Sequence, residues 1–192
     1  MNDDVFSFPK QYQQILDDTK SMGFNQLSDG KAGSLLSSLC TSKVRGGFLE
    51  LGTGTGLCTS WMLQGMCESS TLTTVDNDKQ LVDIAKKYLN NDQRVNFVVG
   101  NGEDLIDSLE PLSMDLIFAD TWPGKYNHLE ETLSLLKIGG FYIIDDMLPQ
   151  DNWPDGHEVK SINLINALSS RADLTITKMS WSTGLLVCVK NA

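Results

Sequence analysis

The spacing of apolar side chains changes character near residue 47. Beyond it, short apolar runs alternate with longer segments whose apolar residues recur every three or four positions, the marks of buried strands and amphipathic helices. "GFLEL" (47–51) reads as a strand and 57–66 as a helix. "TLTTV" (71–75) is a β-branched strand, and 79–89 carries helical spacing in Leu81, Val82, Ile84, Ala85 and Leu89. "VNFVV" (95–99) precedes a short helix from Glu103. "MDLIFA" (114–119) precedes a helix over 128–136 that Gly139 and Gly140 end. "FYIID" (141–145) is a strand, and after a Pro-containing loop 158–168 is helical. "LTITKM" and "GLLVCVK" close the chain as two strands, and the connection at 180–183 is too short for a helix.

Strands alternating with helices in this way predict a parallel sheet covered on both faces. The closing pair, lacking a crossover, is expected to be antiparallel. The fold class is therefore α/β: a seven-stranded doubly wound sheet, mostly parallel with the last strand antiparallel, and helices on both faces. Residues 1–46 form an N-terminal helical segment ("YQQILDDTK", "AGSLLSSLC") outside the alternation. The 192 residues suit one domain, 1–192, with a sizeable core.

Charge narrows the partners. The net charge is −10, which argues against a nucleic-acid backbone or an anionic membrane surface. The cysteines Cys40, Cys58, Cys67 and Cys188 show neither CxxC nor Cys/His zinc spacing, so free thiols in a reducing compartment are expected. No apolar run approaches the ~20 residues of a membrane span, and "MNDDVFSFPK" is too acidic for a signal peptide. A cytoplasmic protein with a small-molecule partner is the expectation, and a homodimer is compatible with it.

The exit of the first strand carries "ELGTGTG" (50–56). Open parallel sheets bind ligands at their carboxyl strand ends, and glycine lets backbone N–H groups approach a ligand closely. Gly52, Thr53, Gly54 and Gly56 are candidate binding residues. The dinucleotide fingerprint GxGxxG would need its third glycine at Leu57, so the spacing departs from it. Glu50 would repel a pyrophosphate but suit an ammonium-bearing ligand. Asp76, with Asn77 beside it, ends the second strand, where an acid can accept both ribose hydroxyls; an N-cap role is the alternative for Asp76, which Asn77 or Asp78 would fill equally well. "GNGEDL" (100–105) offers Gly102 and a Glu103 or Asp104 carboxylate for an adenine amino group.

Taken in order along three strand exits, these segments resemble the S-adenosylmethionine-dependent methyltransferases of the seven-strand Rossmann-like class, over a core of 47–192. The resemblance implies that "ELGTGTG" meets the methionine end of the cofactor, Asp76 the ribose and "GNGEDL" the adenine.

The fourth and fifth strands end in Asp120 and in Asp145 and Asp146. Three clustered carboxylates repel unless a cation or proton intervenes, and hard oxygen ligands favour Mg²⁺, Mn²⁺ or Ca²⁺ over Zn²⁺. "DLIFADTWPGKYNHLEETLSLLKIGGFYIIDD" resembles the catechol and caffeoyl-CoA O-methyltransferase family, and "SDGKAGSLLSSL" its helix before the first strand. That resemblance implies a divalent metal on Asp120, Asp145 and Asp146, Asp120 also beside the cofactor, and Trp122 against the substrate. Two positions depart from the family: Asp146 replaces an Asn, and Pro123 stands at the catalytic lysine. "DDMLPQDNWPDGH" looks like the signature of a separate subgroup. Candidate bases are His157, which titrates near neutral pH, and Lys125, which a turn through "PG" would redirect. Trp153 is a candidate acceptor wall, while His128 reads as a surface helical residue. The expected activity is O-methylation of a small hydroxylated acceptor. A non-catalytic S-adenosylmethionine-binding protein and an NAD(P)-dependent oxidoreductase are the alternatives.

Overall fold

The computed structural model describes residues 2–4, 6–151 and 153–192. Seven strands form one sheet: β1 (Gly47–Leu51), β2 (Thr71–Asp76), β3 (Val95–Val99), β4 (Met114–Ala119), β5 (Leu136–Ile144), β6 (Leu174–Met179) and β7 (Leu185–Lys190). Their order is β3-β2-β1-β4-β5-β7-β6. The first five strands run parallel, and β7 lies antiparallel between β5 and β6. Strand order therefore reverses between β1 and β4, and the crevice at their carboxyl ends is where a ligand fits such a sheet.

The apolar runs are continuous because both faces of the central strands are buried, with successive side chains entering opposite cores. Leu49, Leu51, Ile117, Ala119, Tyr142 and Ile144 face one layer. That layer is α5 (Gly102–Ser108), α6 (Leu129–Leu135) and α7 (His157–Ser169). Phe48, Leu72, Leu116, Phe118 and Ile143 face the other. There they meet α1 (Tyr12–Ser21), α2 (Gly30–Thr41), α3 (Leu57–Gly65) and α4 (Lys79–Leu89). None of the described helices is long and apolar enough to cross a membrane.

One boundary differs from expectation. The helix expected over 128–136 ends at Leu135, and Leu136 already belongs to β5. Leu136 pairs with Met114, and the register then jumps so that Leu116 pairs with Phe141. The residues between form a bulge, with Gly139 at φ +74°, a conformation glycine adopts without strain. His128, at φ 54°, caps α6 from outside.

The N-terminal helices are tied to the crevice. Thr19 Oγ1 on α1 lies 2.8 Å from Thr55 Oγ1 in the glycine loop. Asp18 accepts from Lys87 (2.6 Å) and Tyr88 (2.8 Å) on α4. Asp29 caps α2, accepting from the amides of Lys31 and Ala32. The segment between α1 and α2 is thereby carried across the mouth of the crevice.

Candidate functional site

A cavity of about 560 Å³ opens at the β1 and β4 exits. Gly52, Thr53, Gly54 and Thr55 form its floor, Asp76 and Asn77 one end, and Asp120, Asp145 and Asp146 the other. The segment 24–28 supplies a wall that the strand–helix alternation gave no sign of.

The three glycines are not equivalent. All have positive φ: +103° at Gly52, +51° at Gly54 and +92° at Gly56. A Cβ on Gly52 would stand 3.0 Å from the Asp120 carbonyl oxygen, and one on Gly56 2.8 Å from Ala85 Cβ. Those two let the sheet and α4 close up. A Cβ on Gly54 would meet no atom within 4 Å, so this glycine bares the backbone to the cavity.

Glu50 takes a different place from the one its sequence position suggests. It is fully buried and does not line the cavity. Its Oε2 accepts from Thr59 (2.5 Å) and Thr74 (2.6 Å), and the Thr74 hydroxyl lies 2.6 Å from that of Thr53. The carboxyl thus anchors the loop from beneath. Burial raises its pKa to about 7, against the lowering effect of the two hydroxyls. Its Oε1 has no partner.

Asp76 lines the cavity with its carboxylate partly used: Oδ2 accepts from the Gly54 amide (2.9 Å) and Oδ1 from the Asp78 amide (2.9 Å). Asp78, not Asp76, caps α4. A carboxylate offers about four acceptor positions, so Asp76 retains capacity for a ligand. Gly102 and Glu103 lie outside the lining. A Cβ on Gly102 would press against Pro123, and Glu103 Oε1 faces His128 Nδ1 at 3.9 Å.

At the other end, the turn after β4 folds Lys125 inward. Gly124 adopts φ +85°, and its carbonyl accepts from the Tyr142 hydroxyl. Lys125 is 3% exposed, lines the cavity, and donates from Nζ to the Asp145 carbonyl oxygen at 2.9 Å. Burial raises the Asp120 carboxyl well above its usual range, reinforced by Asp145 and opposed by Lys125. Asp145 is raised chiefly by burial too, with Lys125 again opposing.

The resemblance to catechol-type enzymes implied a divalent ion here, but the donor set does not fit one. Asp145 Oδ1 accepts from Thr183 Oγ1 (2.5 Å) and from the Asp146 amide (2.8 Å). Asp146, at φ 59°, gives Oδ1 to Gln150 Nε2 (2.7 Å). Among the described residues no group of three or more His, Cys, Asp or Glu side chains is placed to hold an ion. The expected triad of Asp120, Asp145 and Asp146 lines the cavity together with the buried Lys125, and the three carboxyls do not converge as an ion site among the described residues.

Over this end stands an aromatic cluster. His157 opens α7; its ring lies 4.5 Å from Trp153, 5.2 Å from Tyr126 and 5.8 Å from Trp122, centroid to centroid. Lys160 Nζ sits 4.1 Å from the Trp122 ring centre. His157 Nε2 is 3.2 Å from the Tyr126 hydroxyl, and Nδ1 is buried without a partner among the described residues. Burial, then Lys125 and Lys160, hold the imidazole pKa below its usual value, with Asp146 opposing. Tyr126, inside the quoted "DTWPGKY", and Thr183, in the connection between β6 and β7, are the site residues that sequence reasoning passed over.

Cavity, loop and strand order together define a doubly wound sheet that takes a ligand at its glycine-rich β1 exit. A family model described as a methyltransferase domain matches residues 49–147, and the chain belongs to that family. A protein of Mycobacterium ulcerans named as an O-methyltransferase is 31% identical over 119 residues, covering 58% of this chain and 52% of that protein. The chain thus spans about half the length of the curated relatives it matches. Two solved structures share the fold. The O-methyltransferase TomG from Streptomyces achromogenes, involved in tomaymycin synthesis and solved with S-adenosylmethionine, has TM-score 0.83 at 18% identity, covering 98% of this chain and 92% of that one. An O-methyltransferase from Bacillus cereus, solved with S-adenosylhomocysteine, has TM-score 0.82 at 19% identity, covering 97% and 93%.

Proposed function

We propose that the protein transfers the methyl group of S-adenosylmethionine to a hydroxyl oxygen of a small acceptor. The observation that carries this reading is Gly54: it bares backbone to the cavity between Asp76 and the Asp120 end, with space around it that a Cβ would fill. The names of the curated relatives, and the cofactors in the related structures, support the same reading. Asp76 and Asn77 would hold the ribose, and the floor 52–55 the methionine end. Glu50 would favour the sulfonium and ammonium through its charge, from beneath the loop rather than by contact. Gly102 and Glu103 remain proposed for the adenine, although they lie outside the cavity lining.

The reaction is an in-line displacement. The S–CH₃ bond breaks with its electrons passing to sulfur, the O–CH₃ bond forms, and S-adenosylhomocysteine leaves. The acceptor hydroxyl must lose its proton, and His157, reached through the Tyr126 hydroxyl, is the base the geometry favours: its depressed pKa keeps it neutral and proton-accepting at physiological pH. Trp122 and Trp153 would wall the acceptor and exclude water, and orientation within that wall would supply most of the acceleration.

The cofactor half is tested by calorimetry with S-adenosylhomocysteine. Gly54→Val should abolish binding, because it fills the open space and strains a left-handed backbone. Asp76→Ala should weaken binding by about 1.5–3 kcal/mol, the scale of hydrogen bonds to a charged group. Unchanged affinity in both would sink the assignment. Tight binding of NAD(P) in place of S-adenosylhomocysteine would favour the oxidoreductase alternative.

A further inference from the structure

We propose that the ammonium of Lys125 is the resident cation of the acceptor site, standing where a divalent ion would otherwise be required, so that the acceptor oxygen is charge-stabilised by a side chain of the protein itself. This rests on the methyl-transfer reading and deepens it. Three features carry it. Lys125 is almost fully buried, yet among the described residues its Nζ spends one hydrogen bond on protein, to the Asp145 carbonyl oxygen. An ammonium has three donors; the remaining ones belong to a side chain that lines the cavity. Asp145 Oδ1 is engaged by Thr183 and the Asp146 amide and Asp146 Oδ1 by Gln150, and among the described residues no group of three or more His, Cys, Asp or Glu side chains is placed to hold an ion.

The position of the lysine follows from the chain. Pro123 cannot carry a proton or a charge. The next residue, Gly124, turns at φ +85° with its carbonyl held by Tyr142, and this swings residue 125 back beneath the β4 and β5 exits. A glycine is required: a Cβ at 124 would fall 2.4 Å from Leu51 Cδ1. The departure at 123 and the turn at 124 therefore belong together, because they move the lysine from beside the acceptor to beneath it.

During transfer the acceptor oxygen gains negative charge as its proton passes through Tyr126 to His157. The ammonium would donate a hydrogen bond to that oxygen. The neutral ether product has less call on the ammonium, which lets it leave. A buried donor of fixed position aimed at developing charge acts without reorganisation.

The test uses chelator-stripped full-length protein saturated with S-adenosylhomocysteine, titrated with Mn²⁺ and read by electron paramagnetic resonance. The wild type should show no saturable Mn²⁺ binding below millimolar concentration. Lys125→Met, which keeps the length but removes the repelling charge, should bind Mn²⁺ at least ~10-fold more tightly than wild type. Lys125→Arg should behave as wild type, and supplies the comparison if the methionine variant fails to fold: a weaker exclusion of Mn²⁺ than in wild type would then count against the proposal. Micromolar Mn²⁺ binding by the wild type, or equal binding by wild type and Lys125→Met, would overturn it. Transfer of labelled methyl to acceptors in a metabolite extract should survive the chelator in wild type and be lost in Lys125→Met. Failure of S-adenosylhomocysteine to bind at all would instead remove the methyl-transfer reading, and the calorimetry registers that separately from the Mn²⁺ titration.

Discussion

Single residues at strand exits were legible because their place in a parallel sheet follows from where the apolar run stops. Asp76, Asn77, Asp120 and Trp122 were singled out on that ground or on the resemblance, Trp153 as an acceptor wall in the loop after β5, and all line the cavity. Side-chain direction was not legible. Glu50 sits one position back from the exit on the face shared with Phe48, so it turns under the loop toward Thr59 and Thr74. That placement makes it a pH-sensitive element of stability. Its pKa is about 7 in the folded chain and 4.5 for an ordinary glutamate. The folded state therefore holds the proton more tightly. The stability it contributes is intact below about pH 4.5 and is lost as pH rises through about 7, a swing of about 3 kcal/mol. Glu50→Gln cannot ionise, so its stability relative to wild type should rise by up to that amount between pH 4.5 and 8 in urea melts. An equal difference at both ends would show that folding does not raise the pKa of Glu50. For His157, burial with Lys125 and Lys160 lowers the pKa while Asp146 opposes and Tyr126 bonds the ring. Methyl transfer should rise with pH below the ordinary histidine range and level off near neutrality. His157→Ala should lower turnover by ~10²-fold and leave S-adenosylhomocysteine affinity unchanged.

At the scale of elements, all seven strands were legible, because each is an apolar or β-branched run bounded by polar or glycine residues, whether buried on both faces as in β1 and β4 or half-exposed as at the edges β3 and β6. The α6–β5 boundary was not. Leu135, Leu136 and Ile138 continue helical spacing, and only the pairing of Leu136 with Met114 across the sheet converts the end of that stretch to strand. Tertiary pairing overrode a local pattern. The turn after β4 makes the opposite case: "PG" was visible, and the inward swing of Lys125 followed from it. Gly124→Ala should displace that turn. The added Cβ meets Leu51 inside the core and the backbone at φ +85° disfavours any side chain. A loss of about 2 kcal/mol in urea unfolding is expected, together with loss of the Mn²⁺ exclusion described for the wild type. Wild-type stability in this variant would mean the turn is not held as tightly as the packing requires.

At the scale of the molecule, the N-terminal helices looked like an appendage to the sheet, since they lie outside the strand–helix alternation. In the fold they reach the crevice: Thr19 meets Thr55, Asp18 meets α4, and the segment 24–28 walls the cavity. Thr19→Val keeps the side-chain volume and removes the hydroxyl link. S-adenosylhomocysteine affinity should fall several-fold, by about 1 kcal/mol, the net worth of one buried hydrogen bond, and calorimetry on the variant reads it directly. An unchanged affinity would assign Thr19 to holding α1 alone, through its bond to the Ile15 carbonyl.

The placement of β7 has a consequence in time. It follows the other six strands of the sheet in the chain, yet it enters between two earlier ones, and until it does the β5 edge from Phe141 to Ile144 is open. Its arrival also delivers Thr183 to Asp145 and closes the backbone from Gly184 to Met147. During synthesis the chain therefore carries an unpaired apolar edge, a hazard for aggregation, until residues 185–190 have emerged. The glycine loop can form early, from β1, β2 and α3, and the acceptor end cannot. On the proposed methyl-transfer reading, the donor's pocket would exist before there is anywhere to deliver the methyl.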